Sequence, residues 1–248
     1  GEKKRSKKTV NEMLDDLPRP SEMRRGWRLA VINFCKFWLH ILKRRPKIHG
    51  LENCIKEDPV VMIANHLSLS EVFAVSIYSY LWPHWVAKEE LFYLPKPLST
   101  VVKGWGAVPL NRNGSDLAAA RLMIQFLKDG RSLAVFPQGT RCRTMDDIKE
   151  HLPKAGVYSL AKKRGCLIQP ISIGGSEGIG KHLDVHFMPA IDPQTFRTDL
   201  PNDELRIWAL FAMLYRDQEN IEAANFFETK IKDEMKVKEE TNKKEEMT

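Results

Sequence analysis

Val60-Val61-Met62-Ile63-Ala64 runs directly into Asn65-His66-Leu67-Ser68-Leu69-Ser70-Glu71. Five apolar residues in a row read as a buried strand. The polar Asn-His pair ends it, and Ser70-Glu71 followed by Val72, Phe73, Val75 and Ile77 opens a helix. A histidine thus stands at the end of a strand, with a carboxylate five positions on in the first helical turn. Such a pair can hold an imidazole by one nitrogen, fix its tautomer and leave the other nitrogen free to take a proton. Ser70 and Glu71 are also ordinary helix-start residues, so a simple capping role fits the same letters.

Outward from this stretch, strand-like runs recur at 60–64, 85–87, 107–110, 132–136, 167–173 and 185–187, with helical runs at 70–80, 115–128 and 154–164. This alternation predicts an α/β fold, a mixed and mostly parallel sheet flanked by helices, whose chemistry gathers beyond the strand ends. The domain is expected over residues 46–235. Further helices are expected over 204–215 and 220–235, and residues 236–248, charged and free of aromatics, read as a disordered tail.

The first 45 residues differ in kind. A basic run, Lys3-Lys4-Arg5-Ser6-Lys7-Lys8, precedes a short helical segment at 11–17 that Pro18 and Pro20 stop. Residues 27–42, WRLAVINFCKFWLHIL, then place Asn33, Lys36 and His40 on one stripe. Trp27, Val31, Phe34, Cys35, Phe37, Trp38, Ile41 and Leu42 cover a wide apolar arc. Sixteen residues with a central lysine are too few to cross a hydrocarbon core that needs about 20. The segment is expected to be the second of an amphipathic helical pair lying on an anionic membrane surface, with Arg24-Arg25 and Lys43-Arg44-Arg45 facing headgroups. Packing on the protein's own core is the alternative.

Composition narrows the partners. A formal charge of +7 over 248 residues calls for an anionic partner. Nucleic acid is not expected, because the basic residues flank an apolar helix and no nucleic-acid motif accompanies them. Cys35, Cys54, Cys142 and Cys166 show neither paired spacing nor nearby metal-ligand histidines, so neither a disulfide framework nor a metal site is expected. No secretory signal is read in the chain.

Two further stretches bring charge to strand ends. In Gly106-Ala107-Val108-Pro109-Leu110-Asn111-Arg112 the strand delivers a guanidinium suited to a phosphate or carboxylate. In Phe136-Pro137-Gln138-Gly139-Thr140-Arg141 a strand passes into a turn that groups backbone N–H, hydroxyl and arginine, a cradle for a phosphate or for a developing oxyanion. Residues 90–105, rich in Leu, Val and Trp, suit either the wall of an acyl-chain tunnel or an ordinary core helix.

Between Ile48 and Ile191 the chain resembles the glycerolipid acyltransferase family, and most closely its bacterial lysophosphatidate acyltransferase members. Four ordered blocks carry the resemblance: Asn65-His66 with an acid after four intervening residues; Lys88-Glu89-Glu90-Leu91 leading to 106–112; 136–141; and Ile168-Gln169-Pro170-Ile171-Ser172-Ile173. The resemblance implies that His66 acts as general base on an acceptor hydroxyl, with Glu71 orienting it. It implies that Lys88, Arg112, Gln138, Gly139, Thr140 and Arg141 lie at the substrate phosphate. It further implies lysophosphatidate as acceptor, an acyl-carrier protein or coenzyme A thioester as donor, no bound cofactor, and monotopic association with the cytoplasmic face of the cell membrane.

Two positions depart from the family pattern. Glu71 replaces the usual aspartate, and its extra methylene must be packed if the carboxylate is to reach His66. Gln138 replaces the usual glutamate and removes a charge beside Arg141. They leave open another lyso-lipid or glycerol 3-phosphate as acceptor, or a lipid-binding protein without catalysis. A rival signal, Gly174-x-Ser176-x-Gly178, formally fits a nucleophile elbow, but the residues after it read as loop where a helix is required.

Overall fold

The computed structural model describes residues 25–57, 59–110 and 117–246. In chain order the elements are α1 (Arg25–Ile41), β1 (Lys47–His49), β2 (Val60–Ala64), α2 (Ser70–Tyr78), β3 (His84–Lys88), α3 (Lys96–Gly104), β4 (Val108–Leu110), α4 (Leu117–Lys128), β5 (Leu133–Val135), α5 (Met145–Glu150), α6 (Gly156–Arg164), β6 (Leu167–Gly175), β7 (Leu183–Phe187), α7 (Asp203–Asp217) and α8 (Ile221–Glu246). The strands form one sheet in the order β1-β7-β6-β2-β5-β3-β4. The five from β6 to β4 are parallel, β7 returns antiparallel to β6, and β1 pairs parallel with β7. The expected mixed, mostly parallel sheet is therefore present.

The unbroken apolar run of β2 follows from its place. Hydrogen-bonded to β5 on one edge and β6 on the other, it has helices over both faces. Its residues alternate between two cores, as a period of two requires. Val61 and Ile63 join Leu133, Ile168, Tyr158, Leu210 and Phe211 beneath α6 and α7. Val60, Met62 and Ala64 join Cys35, Leu39, Phe73, Ala74 and Phe187 beneath α1 and α2. Both cores meet at the sheet, so the carboxyl end of β2 is rigidly placed. Strand β1 escapes the sequence pattern because Lys47-Ile48-His49 is short, lies at the sheet's edge and carries one apolar side chain.

Helix α1 divides its wide apolar arc. Val31, Cys35 and Leu39, spaced at four residues, are buried against the fold, and Phe34 meets Phe73 of α2 edge to face. Phe37 and Ile41 of the arc remain exposed, as does Leu29 on the polar stripe. The Trp27 indole donates to the Gly104 carbonyl of α3 at 2.9 Å. Among the described residues no helix is long and apolar enough to cross a membrane. The expected partner helix at 11–17 lies outside the described residues.

Two expectations are corrected. Arg44, expected to face lipid headgroups, is buried, and its guanidinium donates to the carbonyls of Ser176 and Gly178. Helix α8 continues to Glu246 through residues expected to be a disordered tail. That stretch is dominated by Lys and Glu, good helix formers with no Gly or Pro among them. A helix already nucleated on the core at Ala224, Phe227 and Ile231 propagates into it at little cost.

Candidate active site

Where β2 ends, the Asn65 side chain locks its backbone to β6. The amide donates to the Ile173 carbonyl and accepts from the Ile173 N–H, each at 2.8 Å. His66 follows on the first residue free of the ladder. Its carbonyl accepts from Cys142 N–H at 2.8 Å, and its ring stacks on Phe136, 3.9 Å between centroids and 15° between planes. Phe136 in turn stacks on Trp85, 5.1 Å away. The imidazole plane is thus set by aromatic rings from β3 and the end of β5.

Glu71 sets the imidazole's rotation. Its Oε1 lies 2.8 Å from His66 Nδ1, and the carboxylate also accepts from the Leu67 and Ser68 N–H groups at 2.7 Å and from Ser68 Oγ at 2.6 Å. The side chain is fully buried. Burial alone would push its carboxyl up, yet the hydrogen bonds from His66 and Ser68 and the imidazole's charge outweigh this and hold it below the usual carboxylate range. An ionised carboxylate at Nδ1 keeps a proton on that nitrogen. Nε2 makes no hydrogen bond among the described residues, and the side chain keeps 18% of its surface exposed. Glu71 reaches back to Ser68 N–H with both oxygens, and Oε1 also meets His66 Nδ1.

The segment after β5 wraps this histidine. Gly139 N–H donates to the Phe136 carbonyl at 2.8 Å, closing a turn whose last residue has φ of 71°, a left-handed conformation that glycine adopts without strain. Thr140 is half-buried and Arg141 exposed. Arg141 Nη1 lies 3.2 Å from Glu177 Oε1, and Arg143 contacts the other oxygen of the same carboxylate. Arg143 Nε also donates to the Leu67 carbonyl at 3.2 Å, tying this arginine to the residue beside His66. Two guanidinium groups thus converge on one carboxylate near His66, an arrangement able to hold an anion.

The expected substrate-facing residues divide. Lys88 is exposed at the carboxyl end of β3, paired with Leu110 of β4, and β3 is two strands from β2 in the sheet. That is two strand spacings, roughly 10 Å, to the side of β2. Arg112 lies outside the described residues. Gln138 is buried, with its amide and the Tyr215 hydroxyl exchanging hydrogen bonds at 3.1 and 3.3 Å. Its neutral side chain suits that enclosed position beside a phenol, and Glu177 rather than residue 138 pairs with Arg141. Of residues 90–105, Phe92 packs with Ala107, and Trp105 is stacked on Phe73 in the core; Leu91 and Leu94 stay exposed.

Sequence reading gave no role here to Arg143 or Glu177 and placed Arg44 at the headgroups instead. Arg143 stands two residues beyond the third block, and its spacing hinted at a second guanidinium on the same turn. Nothing local marks Glu177 or Arg44, whose partners are over 30 and 130 residues away respectively. The elbow reading of Ser176 falls, because β6 ends at Gly175 and the chain returns as antiparallel β7 with no helix between. Among the described residues no group of three or more His, Cys, Asp or Glu can hold a metal ion. A half-open polar cleft of about 290 Å³, lined by Asn65, Arg143, Gly174 and Gln218, adjoins the site without His66 in its wall.

The chain thus has a mixed, mostly parallel α/β sheet with a carboxylate-held histidine and an arginine pair beyond its strand ends. The acyltransferase family model matches residues 45–174, which hold β2, the His66 loop and both arginines. The chain belongs to the acyltransferase family. It is 28% identical over 157 residues to a 1-acyl-sn-glycerol-3-phosphate acyltransferase of Borreliella burgdorferi, covering 58% of this chain and 61% of that protein. It is 30% identical over 154 residues to a chloroplastic 1-acyl-sn-glycerol-3-phosphate acyltransferase of Arabidopsis thaliana, covering 56% of this chain and 40% of that one. The chain thus spans less than two thirds of the length of either relative. The crystal structure of the 1-acyl-sn-glycerophosphate acyltransferase PlsC from Thermotoga maritima shares the fold, with a TM-score of 0.62 at 24% identity over 86% of this chain and 87% of that one.

Proposed function

We propose that this protein is an O-acyltransferase that moves an acyl group from a thioester to the 2-hydroxyl of lysophosphatidate, giving phosphatidate for phospholipid synthesis. The observation that carries the reading is His66: Nδ1 is held by ionised Glu71, Nε2 is open, and an arginine pair waits beside it. The acceptor's phosphate monoester lies on Arg141 and Arg143, and its 2-hydroxyl gives its proton to Nε2 as the oxygen attacks the thioester carbonyl. The C–S bond then breaks, and the departing thiolate takes the proton back from the imidazolium. Glu71 stabilises that imidazolium without taking its proton, in keeping with a carboxyl held below its usual range.

The donor is the thioester of acyl-carrier protein or coenzyme A, and no bound cofactor is required. The exposed Leu29, Phe37 and Ile41, with Lys36, Lys43 and Arg45 beside them, lie on the anionic cytoplasmic face of the cell membrane and bring the site to its acceptor. Glu71 reaches the histidine despite its added methylene, and the Gln138 amide is bonded to Tyr215, which supports lysophosphatidate as the acceptor over the alternatives that these two departures leave open.

The test is thiol release from an acyl thioester with lysophosphatidate in detergent micelles, comparing the parent with His66→Ala. Loss of a general base is expected to lower acceptor-dependent release by about 10²- to 10⁴-fold. Equal rates in parent and variant, or no acceptor-dependent release from folded parent with either donor, sink the proposal.

A further inference from the structure

The loop between β6 and β7 bears on the arginine pair. Residues 174–180 read Gly-Gly-Ser-Glu-Gly-Ile-Gly, four glycines in seven. Glu177 at its apex touches both Arg141 and Arg143. The loop is held from behind by Arg44, whose guanidinium donates to the carbonyls on either side of Glu177, those of Ser176 and Gly178. Gly180 N–H also donates to the Leu42 carbonyl at 2.8 Å, so the segment just after α1 grips the loop twice. Arg44 is 3% exposed, and its Nε is left without a partner. Burial lowers its guanidinium from the ordinary value, with Glu71 and then Glu177 pulling it back up. A buried cation needs a carboxylate in reach, and Glu71 is the stronger of its two charged neighbours.

We propose that Glu177 is a latch: its carboxylate occupies the Arg141–Arg143 anion site in the empty protein, and the phosphate monoester of the acceptor must displace it to bind. The inference rests on the anion site of the proposed function and adds the competitor built into that site. A carboxylate carries one negative charge, and a phosphate monoester carries about 1.5 to 2 at neutral pH with three acceptor oxygens. It can therefore outbid a tethered carboxylate for two guanidinium forks. Arg44 keeps the loop's base in place, so displacement swings Glu177 outward and leaves the loop attached at 176 and 178. The arginine pair and the buried Arg44 bring three cations to this corner, and Glu71 remains their counter-ion when Glu177 leaves.

The experiment is calorimetric binding of glycerol 3-phosphate, and separately of inorganic phosphate, to the full chain and to Glu177→Gln. Glu177 is half-exposed on a loop, so the amide variant is expected to fold as the parent does. Removing an exposed competitor of this kind is expected to tighten glycerol 3-phosphate binding about three- to tenfold. Unchanged or weaker binding overturns the latch and makes Glu177 a positioning residue for the arginines. A gain with both probes supports displacement by the phosphate group itself; a gain with inorganic phosphate alone overturns the lipid-headgroup assignment. Neither titration uses turnover, so the latch can stand if acyl transfer fails, and fall if acyl transfer holds.

Discussion

Glu71 carries two tasks on one carboxylate, closing the first turn of α2 through Ser68 and fixing the His66 tautomer through Nδ1. The short separation of His66 and Glu71 made this pair legible, since residues on one loop and one helical turn need no distant partner to meet. Gln138 shows the opposite case. Its letter lies in a motif expected to face substrate, and only the packed structure shows the amide turned to Tyr215. Gln138→Leu leaves a buried phenol without its partner, in an environment that already pushes the Tyr215 hydroxyl up by burial. It is expected to cost about 1 to 3 kcal/mol in urea unfolding. The KM for lysophosphatidate should stay within about twofold of the parent; a large rise with unchanged stability would return Gln138 to the substrate site.

At the scale of elements, the wide apolar arc of α1 is only partly used by the fold. Val31, Cys35 and Leu39 are buried, while Phe37 and Ile41 stay exposed. The periodicity fixes which residues share a face, but not what lies opposite. Phe37→Glu with Ile41→Glu puts two charges on the exposed flank alone. Partition to anionic vesicles is expected to fall at least about tenfold, with the thermal midpoint moved by only a few degrees. Undiminished partition would show that α1 is not the membrane contact.

For the whole molecule, acid sensitivity follows from a histidine outside the site. His84 is fully buried at the start of β3, with Nδ1 donating to the Gly106 carbonyl at 2.6 Å and Nε2 unpartnered. Gly106 is required there: its φ is 72°, and a Cβ would come within 2.7 Å of that Nδ1. Burial, reinforced by the Arg131 charge and only partly opposed by the Gly106 bond, lowers His84 to about 4. An unfolded histidine titrates near 6.5. Between these values the unfolded chain holds a proton that the folded chain lacks, so stability is full above about pH 6.5 and falls as pH drops toward 4. From pH 7 to 4.5 the loss from this group is about 2 to 3 kcal/mol. His84→Asn, less stable at pH 7, should show a slope shallower by that amount in denaturant titrations at the two pH values; parallel slopes would rule His84 out.

The local order of residues decided the strand-to-helix passage at His66, the alternation that makes the sheet parallel, and the glycine turn after β5. Each depends on periodicity or on neighbours a few residues apart, and such information is written along the chain. Tertiary structure alone decided that Glu177 faces two arginines, that Arg44 is buried behind it, that Gln138 points inward, and that α8 runs on to Glu246. The first three place a charged or polar side chain according to a partner far away in sequence. Burial and pairing set their energies, and neither exists until β6 returns beside β2 and α7 covers the sheet. The last depends on a helix anchored at Phe227 and Ile231, whose cost of nucleation the core has already met.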